Sequence, residues 1–89
     1  MMEYTEENPY IIIINYAYSK AKNCYNADCN DCPGLFITHT GNFESFKKYV
    51  QESLNFYIEC AKQDGDVLYW VFEDDIPYKL EFREYSKLN

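Results

Sequence analysis

The sequence predicts one small α+β domain, residues 1–89, in which a long helix packs on one face of an antiparallel sheet, in the order β-β-β-α-β. Three observations support this class. Segments rich in β-branched and aromatic residues occur on both sides of the middle of the chain, as strands do. From Phe43 onward, apolar residues recur every three or four positions, as in a helix. The 89 residues are 47% hydrophobic, which is enough for one modest core and too little for a second.

The first predicted strand is Tyr10–Tyr16, which is mostly β-branched and aromatic. An apolar run of this length is typical of a central strand that is buried on both faces. Residues 1–9 contain three Glu and end at Pro9, so we expect them to form a frayed lead-in. Ala17–Asn23 is polar and has the length of a hairpin connection.

The second and third predicted strands form a hairpin. Cys24–Cys29 and Leu35–Thr40 both alternate in polarity, which indicates strands with one solvated face. Between them, Asn30–Gly34 is predicted to be a turn. Pro33 fixes φ and Gly34 permits a positive φ, and a type II turn requires both.

The helix has the clearest pattern in the chain. Its apolar stripe consists of Phe43, Phe46, Val50, Leu54, Ile58 and Ala61. Asn42 stands at the expected N-cap, and Glu44 places negative charge in the first turn. Glu44 and Lys48 have the spacing of a favourable i, i+4 pair on the outer face. Asp64 and Gly65 supply the predicted stop.

After the helix, two segments remain to be assigned. Val67–Phe72 has strand-like composition, although it fits equally an irregular segment whose Trp70 plugs the edge of the core. Asp74–Pro77 is predicted to be a turn. Tyr78–Tyr85 alternates between apolar and charged residues, which indicates a half-buried strand.

Composition restricts the class of partner and the compartment. The net charge of −7 argues against direct binding of nucleic acid and suits a basic protein partner. Ten Tyr and six Phe favour an aromatic contact surface, although a coding bias explains them equally well. The longest apolar run is strand-sized, so no membrane segment is predicted, and the acidic N-terminus is unlike a targeting peptide. We therefore expect a cytoplasmic protein with reduced thiols.

Four cysteines raise the question of a metal site. Cys24, Cys29 and Cys32 could make a tetrahedral zinc site with Cys60 or His39. Against this, only one C-x2-C pair exists, and strand alternation turns Cys24 and Cys29 to opposite faces. A redox site is not expected either, because no helix begins after the C-x2-C pair to lower a thiol pKa. We predict neither a metal nor any other cofactor.

No enzyme activity is predicted. Asp28 and Asp31 with Glu44 or Glu52 could be interpreted as a nuclease carboxylate set. Asp31 is better explained as a turn residue and Asp28 as part of a solvated strand face, and a charge of −7 repels nucleic acid. His39 lacks an identifiable nucleophile or orienting partner, which a general base needs.

The stretch from Tyr25 to Glu59 carries a series of short motifs. In order they are Tyr25-x-Ala27, Asp31-Cys32-Pro33-Gly34, Gly41-Asn42-Phe43-Glu44, Val50-x-Glu52-x-Leu54 and Tyr57-Ile58-Glu59. In their order and spacing these motifs resemble the HicB-like antitoxin family, and Tyr78–Phe82 resembles the last strand of many members. The residues that we take to mark the fold are Tyr25, Ala27, Asp31, Pro33, Gly34, Asn42 and Glu44.

The resemblance implies a non-catalytic domain related to a degenerate ribonuclease H core. It further implies that the domain covers the catalytic surface of a small basic, HicA-like toxin that cleaves messenger RNA. Two departures matter. Many members continue into a DNA-binding segment near the position of Asn89, so autoregulation through DNA is not expected here. Where members commonly have Leu in the Asp-Leu-Pro-Gly motif, this chain has Cys32.

The predicted partner-binding residues are Asp28 and Asp31 near the turn, Phe36 on the third strand and Phe56 on the helix. Phe56 lies off the apolar stripe, and an exposed Phe would indicate a contact surface. Self-association is expected as well, because a Tyr-rich sheet with an edge strand favours pairing. The alternative function is a stand-alone HicB-like dimerising or adaptor domain without a toxin.

Overall fold

The computed structural model describes residues 3–61 and 67–85. In these residues six elements follow one another: β1 (Tyr10–Ser19), β2 (Cys24–Cys29), β3 (Cys32–His39), α1 (Phe43–Ala61), α2 (Val67–Glu73) and β4 (Tyr78–Glu84). The strands form one sheet in the order β3-β2-β1-β4. The predicted α+β class with one long helix is confirmed.

The sheet is mixed, so the prediction of an antiparallel sheet is wrong for its last strand. β1, β2 and β3 pair antiparallel, whereas β4 lies parallel to β1, with Tyr10 opposite Tyr78 and Tyr16 opposite Glu84. β3 already runs in the direction of β1, and the helices between β3 and β4 carry the chain back before β4 begins. A helical crossover of this kind is what parallel strands require.

β1 is central, as predicted, but only one of its faces is buried. Ile12 and Ile14 are fully buried, whereas Ile11, whose side chain points to the opposite face of the sheet, is 38% exposed. The core joins Ile12 and Ile14 to α1 and α2 on that face. The opposite side, which we call the uncovered face, is therefore not a second core. An apolar run by itself does not reveal whether one face or both will be covered.

The β2–β3 hairpin turns earlier than predicted. Cys29 pairs with Cys32, which leaves a two-residue turn at Asn30 and Asp31. The next pair is Asp28 with Phe36, so the three residues between Cys32 and Phe36 have no opposite partner on β2. Gly34 lies in this bulge with φ of 91°. The predicted type II turn at Pro33-Gly34 is thus wrong, because these residues form a bulge inside β3, where a Pro and a positive φ are both tolerated.

The helix α1 begins as the sequence predicts. The Ser45 amide donates to Asn42 Oδ1 at 2.7 Å, and the Phe46 amide donates to the Asn42 carbonyl, so Asn42 is the N-cap. Glu44 forms its ion pair with Lys47, 3.3 Å away at i+3, instead of the predicted Lys48. The predicted stop at Asp64 and Gly65 lies outside the described residues.

Val67–Glu73 is a short helix, and the prediction of a strand there is wrong. Leu68 and Val71 are fully buried and Phe72 is partly buried, which is the i, i+3, i+4 spacing of a helix face. Trp70 is 40% exposed and contacts Tyr4 and Tyr10 edge-on. A six-residue apolar run is too short to distinguish helix from strand by periodicity.

Phe46 connects α1 to the sheet. It is fully buried and stacks on Tyr25 of β2 at 4.7 Å between ring centroids. The rings of Tyr16, Phe43 and Phe82 lie 5.8 Å from it. Among the described residues, no helix is long and apolar enough to cross a bilayer.

Candidate functional site

A groove runs along the outer edge of the sheet, between β3 and α1. Its volume is about 360 Å³. The residues that line it are Leu35, Phe36, Ile37 and Thr38 from β3 and Tyr49, Glu52, Ser53 and Phe56 from α1. We call this feature the β3–α1 groove. Most of its surface is formed by apolar side-chain atoms, and the polar side-chain groups among the lining residues are hydroxyls and the carboxylate of Glu52.

Two groove residues are unusually exposed for their size. Phe36 is 69% exposed and Phe56 is 68% exposed, and Tyr49, which also lines the groove, is 41% exposed. Single apolar residues on a surface need no explanation, but several large rings on one concave surface indicate a contact site.

Helix geometry explains why α1 presents this surface. Phe46, Val50 and Leu54 form the buried stripe, and they fix the rotation of the helix about its axis. The groove residues Tyr49 and Phe56 then fall on the adjacent flank, at positions spaced by two turns, beside the edge of β3. The core therefore sets the orientation of the contact surface.

The end of the groove nearest the helix start is held in place by polar contacts. His39 stacks on Tyr49 with 4.9 Å between ring centroids, and its Nε2 lies 3.0 Å from Ser45 Oγ. A Cβ at Gly41 would stand 2.7 Å from Ser45 Oγ and 2.9 Å from His39 Nε2. Glycine at that position thus permits the close approach that positions Tyr49. In this structure His39 orients a groove residue.

Asp28 does not line the groove; its side chain lies on the uncovered face, beside that of its cross-strand partner Phe36. In register it lies between Asn15 of β1 and Phe36 of β3. Asn15 Nδ2 donates to Asp28 Oδ1 at 3.0 Å, and the Tyr85 hydroxyl donates to Asp28 Oδ2. The hydrogen bond to Asp28 is the main cause that raises the pKa of Tyr85. Asp28 thus links β2 to β1 and to the residue that follows β4, which is a structural role.

Asp31 also has an internal partner. The Tyr10 hydroxyl donates to Asp31 Oδ2 at 3.0 Å, which ties the β2–β3 turn to the start of β1. Desolvation first, and then the hydrogen bond and charge of Asp31, raise the pKa of Tyr10 to about 12. Of the four predicted partner-binding residues, the structure therefore brings Phe36 and Phe56 to one groove and places Asp28 and Asp31 elsewhere.

The sequence prediction missed Tyr49 and Glu52. Their spacing from Phe56 put them on the same side of the helix, and this was visible in the sequence. The sequence does not indicate that this side of the helix packs beside β3, because that contact depends on how the helix crosses the sheet. The exposure of Trp70 was not predicted either, because the sequence did not indicate that Val67–Glu73 is a helix.

The cysteines are distributed over the fold. Cys29 and Cys32 are buried beside each other across the turn, Cys24 is buried outside the main core cluster, and Cys60 is exposed on α1. A hydrogen bond from Cys32 is the largest cause that lowers the pKa of Cys29. Within residues 3–61 and 67–85, no group of three or more His, Cys, Asp or Glu side chains could hold a metal ion.

Comparisons of the chain with family models, curated proteins and solved structures found no match. The function of the β3–α1 groove therefore has to be inferred from its own residues. These are aromatic, aliphatic and hydroxylic, with Glu52 as the one charged side chain among the groove residues.

Proposed function

We propose that this chain is a non-catalytic, HicB-like antitoxin-type protein that binds and masks a small basic toxin that cleaves messenger RNA. The β3–α1 groove is its main contact surface. The observation that carries the proposal is the pair Phe36 and Phe56, which are 69% and 68% exposed and line one groove. Aromatic side chains in a concave, apolar setting are the residues that contribute most to protein–protein affinity.

Charge supports a basic partner. The net charge of the chain is −7, and Glu52 lines the groove itself. Complementary charge accelerates encounter and selects the partner, while burial of the rings supplies affinity. A protein that binds the RNA backbone has to present a basic surface, and an acidic domain with aromatic anchors is suited to cover it.

The order of the main elements also supports the proposal. Three strands, one long helix and a last strand follow one another, and the family resemblance implies this order; α2 is an addition. The chemistry of the groove is suited to binding, because its hydroxyl groups and its single carboxylate have no paired base or nucleophile arrangement among the groove residues. Four free thiols suit a protein of the reducing cytosol.

The proposal expects the reading frame next to that of this chain to encode a small basic ribonuclease, which we call the basic neighbour, and the test uses the product of that frame. We expect the purified chain to abolish the ribonuclease activity of that protein at equimolar amounts. The double variant Phe36→Ala/Phe56→Ala should inhibit at least about 30-fold less well, since each anchor contributes on the order of 1–2 kcal/mol.

Ile11→Ala is the matched control, because Ile11 is also exposed and apolar but does not line the groove. It should inhibit as the unmodified chain does. If the neighbour cleaves RNA equally fast with and without the chain, the proposal is wrong.

A second function has one observation in its favour. β3 is an edge of the sheet, and a free edge strand can pair with a second copy. The chain would then act as a stand-alone dimerising or adaptor domain. Sedimentation equilibrium of the purified chain, with and without the basic neighbour, distinguishes the two: a dimer that ignores the neighbour supports this alternative.

A further inference from the structure

We infer that the basic partner binds by strand addition: an extended segment of it pairs with the free edge of β3 and directs alternate side chains into the β3–α1 groove. This inference rests on the proposed function and deepens it by naming how the partner is held. Three features of the described residues carry it, namely the chemistry of the two sheet edges, the position of α1 and the charge of the groove.

The two edge strands of the sheet differ in charge. β4 has four charged residues in seven, Lys79, Glu81, Arg83 and Glu84. β3 has none: its sequence from Cys32 to His39 contains no Lys, Arg, Asp or Glu. Charged side chains on an edge strand discourage pairing with other chains, and their absence leaves an edge open to pairing. By this criterion β4 is protected, whereas β3 is available from Phe36 to His39, beyond the bulge that contains Pro33 and interrupts pairing at its start.

The helix α1 lies beside the edge of β3 and forms the other side of the groove. Leu35 to Thr38 of β3 and the Tyr49 to Phe56 flank of α1 border the same groove, which therefore follows the edge of the strand. On a strand edge, every second residue turns its N–H and C=O groups away from the neighbouring strand. A segment laid along β3 would use these groups for backbone hydrogen bonds and place every second side chain against the Tyr49 and Phe56 rings. This combination of edge strand and adjacent groove is a known mode of peptide recognition.

Charge decides between a basic segment and a second copy. Glu52 is exposed and lines the groove, so a Lys or Arg at the groove rim has an opposite charge to face. A second copy would instead bring another chain of charge −7, with its own Glu52, to the same edge. Like charges in close apposition oppose association. The occupant is therefore an extended segment in which apolar residues alternate with Lys or Arg.

The test uses a defined probe, a capped seven-residue peptide in which Lys and Val alternate. We expect saturable shifts of groove resonances in the NMR spectrum of the ¹⁵N-labelled chain. At a peptide concentration ten times Kd, alternate amides of residues 35–39 should exchange about tenfold more slowly with solvent. A peptide with the same side chains and every backbone nitrogen methylated should bind at least about tenfold more weakly, because it cannot donate backbone hydrogen bonds.

Glu52→Lys and Glu7→Lys form a matched pair, because each reverses one exposed charge and changes the net charge equally. Glu52→Lys should weaken the peptide about fivefold or more, and Glu7→Lys much less. Equal binding of the methylated peptide, no binding of the unmethylated one, or binding without protection of β3 amides overturns strand addition. So does protection of β3 by a second copy alone.

The same exchange measurement with the basic neighbour separates the two proposals. If the neighbour is inhibited while β3 amides remain unprotected, strand addition is wrong and the proposed function stands. If the neighbour is not inhibited although the peptide adds to β3, the proposed function is wrong and the edge remains a peptide site.

Discussion

Truncating Phe46 should cost this domain a large part of its stability. Phe46 is fully buried, stacks on Tyr25 and contacts the rings of three further aromatic residues. Replacing a buried Phe by Ala removes its transfer free energy and leaves a cavity, at a cost of about 3–5 kcal/mol. A domain of 89 residues has roughly 4–13 kcal/mol in total. Phe46→Ala therefore removes about a quarter of the free energy of unfolding or more.

The assay is urea unfolding followed by circular dichroism, with thermal unfolding as a second measurement. About 4 kcal/mol corresponds to a decrease in Tm of roughly 15–30 °C for a domain of this size. Phe56→Ala on the same helix is the control, because Phe56 is 68% exposed, and its free energy of unfolding should change by no more than about 0.5 kcal/mol. A loss below about 1 kcal/mol for Phe46→Ala, or equal losses for both variants, would refute this account of the core.

Three further predictions concern single groups. The pKa of Tyr10 is raised from 10.0 to about 12, so the neutral hydroxyl stabilises the fold below pH 10, and this contribution is lost as the pH rises from 10 to 12. Tyr10→Phe should therefore flatten that part of the stability–pH curve and lower the free energy of unfolding at pH 7 by about 1 kcal/mol. An unchanged curve would count against the hydrogen bond to Asp31. Cys60 alone should react rapidly with a thiol reagent in the native state, and the three buried cysteines only on unfolding, so a second fast thiol contradicts the burial of the others. Gly34→Ala should destabilise by about 1 kcal/mol through its φ of 91°, although a Cβ there meets no atom within 4 Å; a neutral result would argue against that backbone conformation.

Local chemistry accounts for the elements that the sequence predicts correctly. The N-cap at Asn42 depends on a hydrogen bond to a residue three positions away. The buried stripe through Phe46 and Val50 follows from the helical repeat of the apolar residues. The alternation in Tyr78–Glu84 likewise reports a strand with one face toward the core. Each of these features is specified by residues close to it in the sequence.

The errors come from features that depend on distant residues. Val67–Glu73 forms a helix because the core accepts Leu68 and Val71 on one side, and six apolar residues carry too little periodicity to indicate this. The direction of β4 depends on the crossover, and the single buried face of β1 depends on where α1 and α2 pack. Within the predicted Asn30–Gly34 turn, Asn30 and Asp31 do form the turn, but the Cys29–Cys32 pairing places Pro33 and Gly34 in a bulge of β3.

The candidate site was predictable only in part. Phe56 was identified because it lies off the apolar stripe, and its exposure of 68% agrees with that reasoning. The sequence predicts Asp28 and Asp31, near the turn, as partner-binding residues, but each accepts a hydrogen bond from a tyrosine of another segment, and no local pattern indicates such partners. The groove exists only after the helix flank and the edge strand come together.

The most direct test of the central claim is a calorimetric titration of the basic neighbouring protein into this chain and into the Phe36→Ala/Phe56→Ala variant. The account predicts saturable binding of the unmodified chain. It also predicts binding at least about 30-fold weaker for the variant, whose fold is intact because both side chains are largely exposed. Absence of binding, or equal affinity for the two chains, would contradict the claim that the β3–α1 groove binds a basic protein partner.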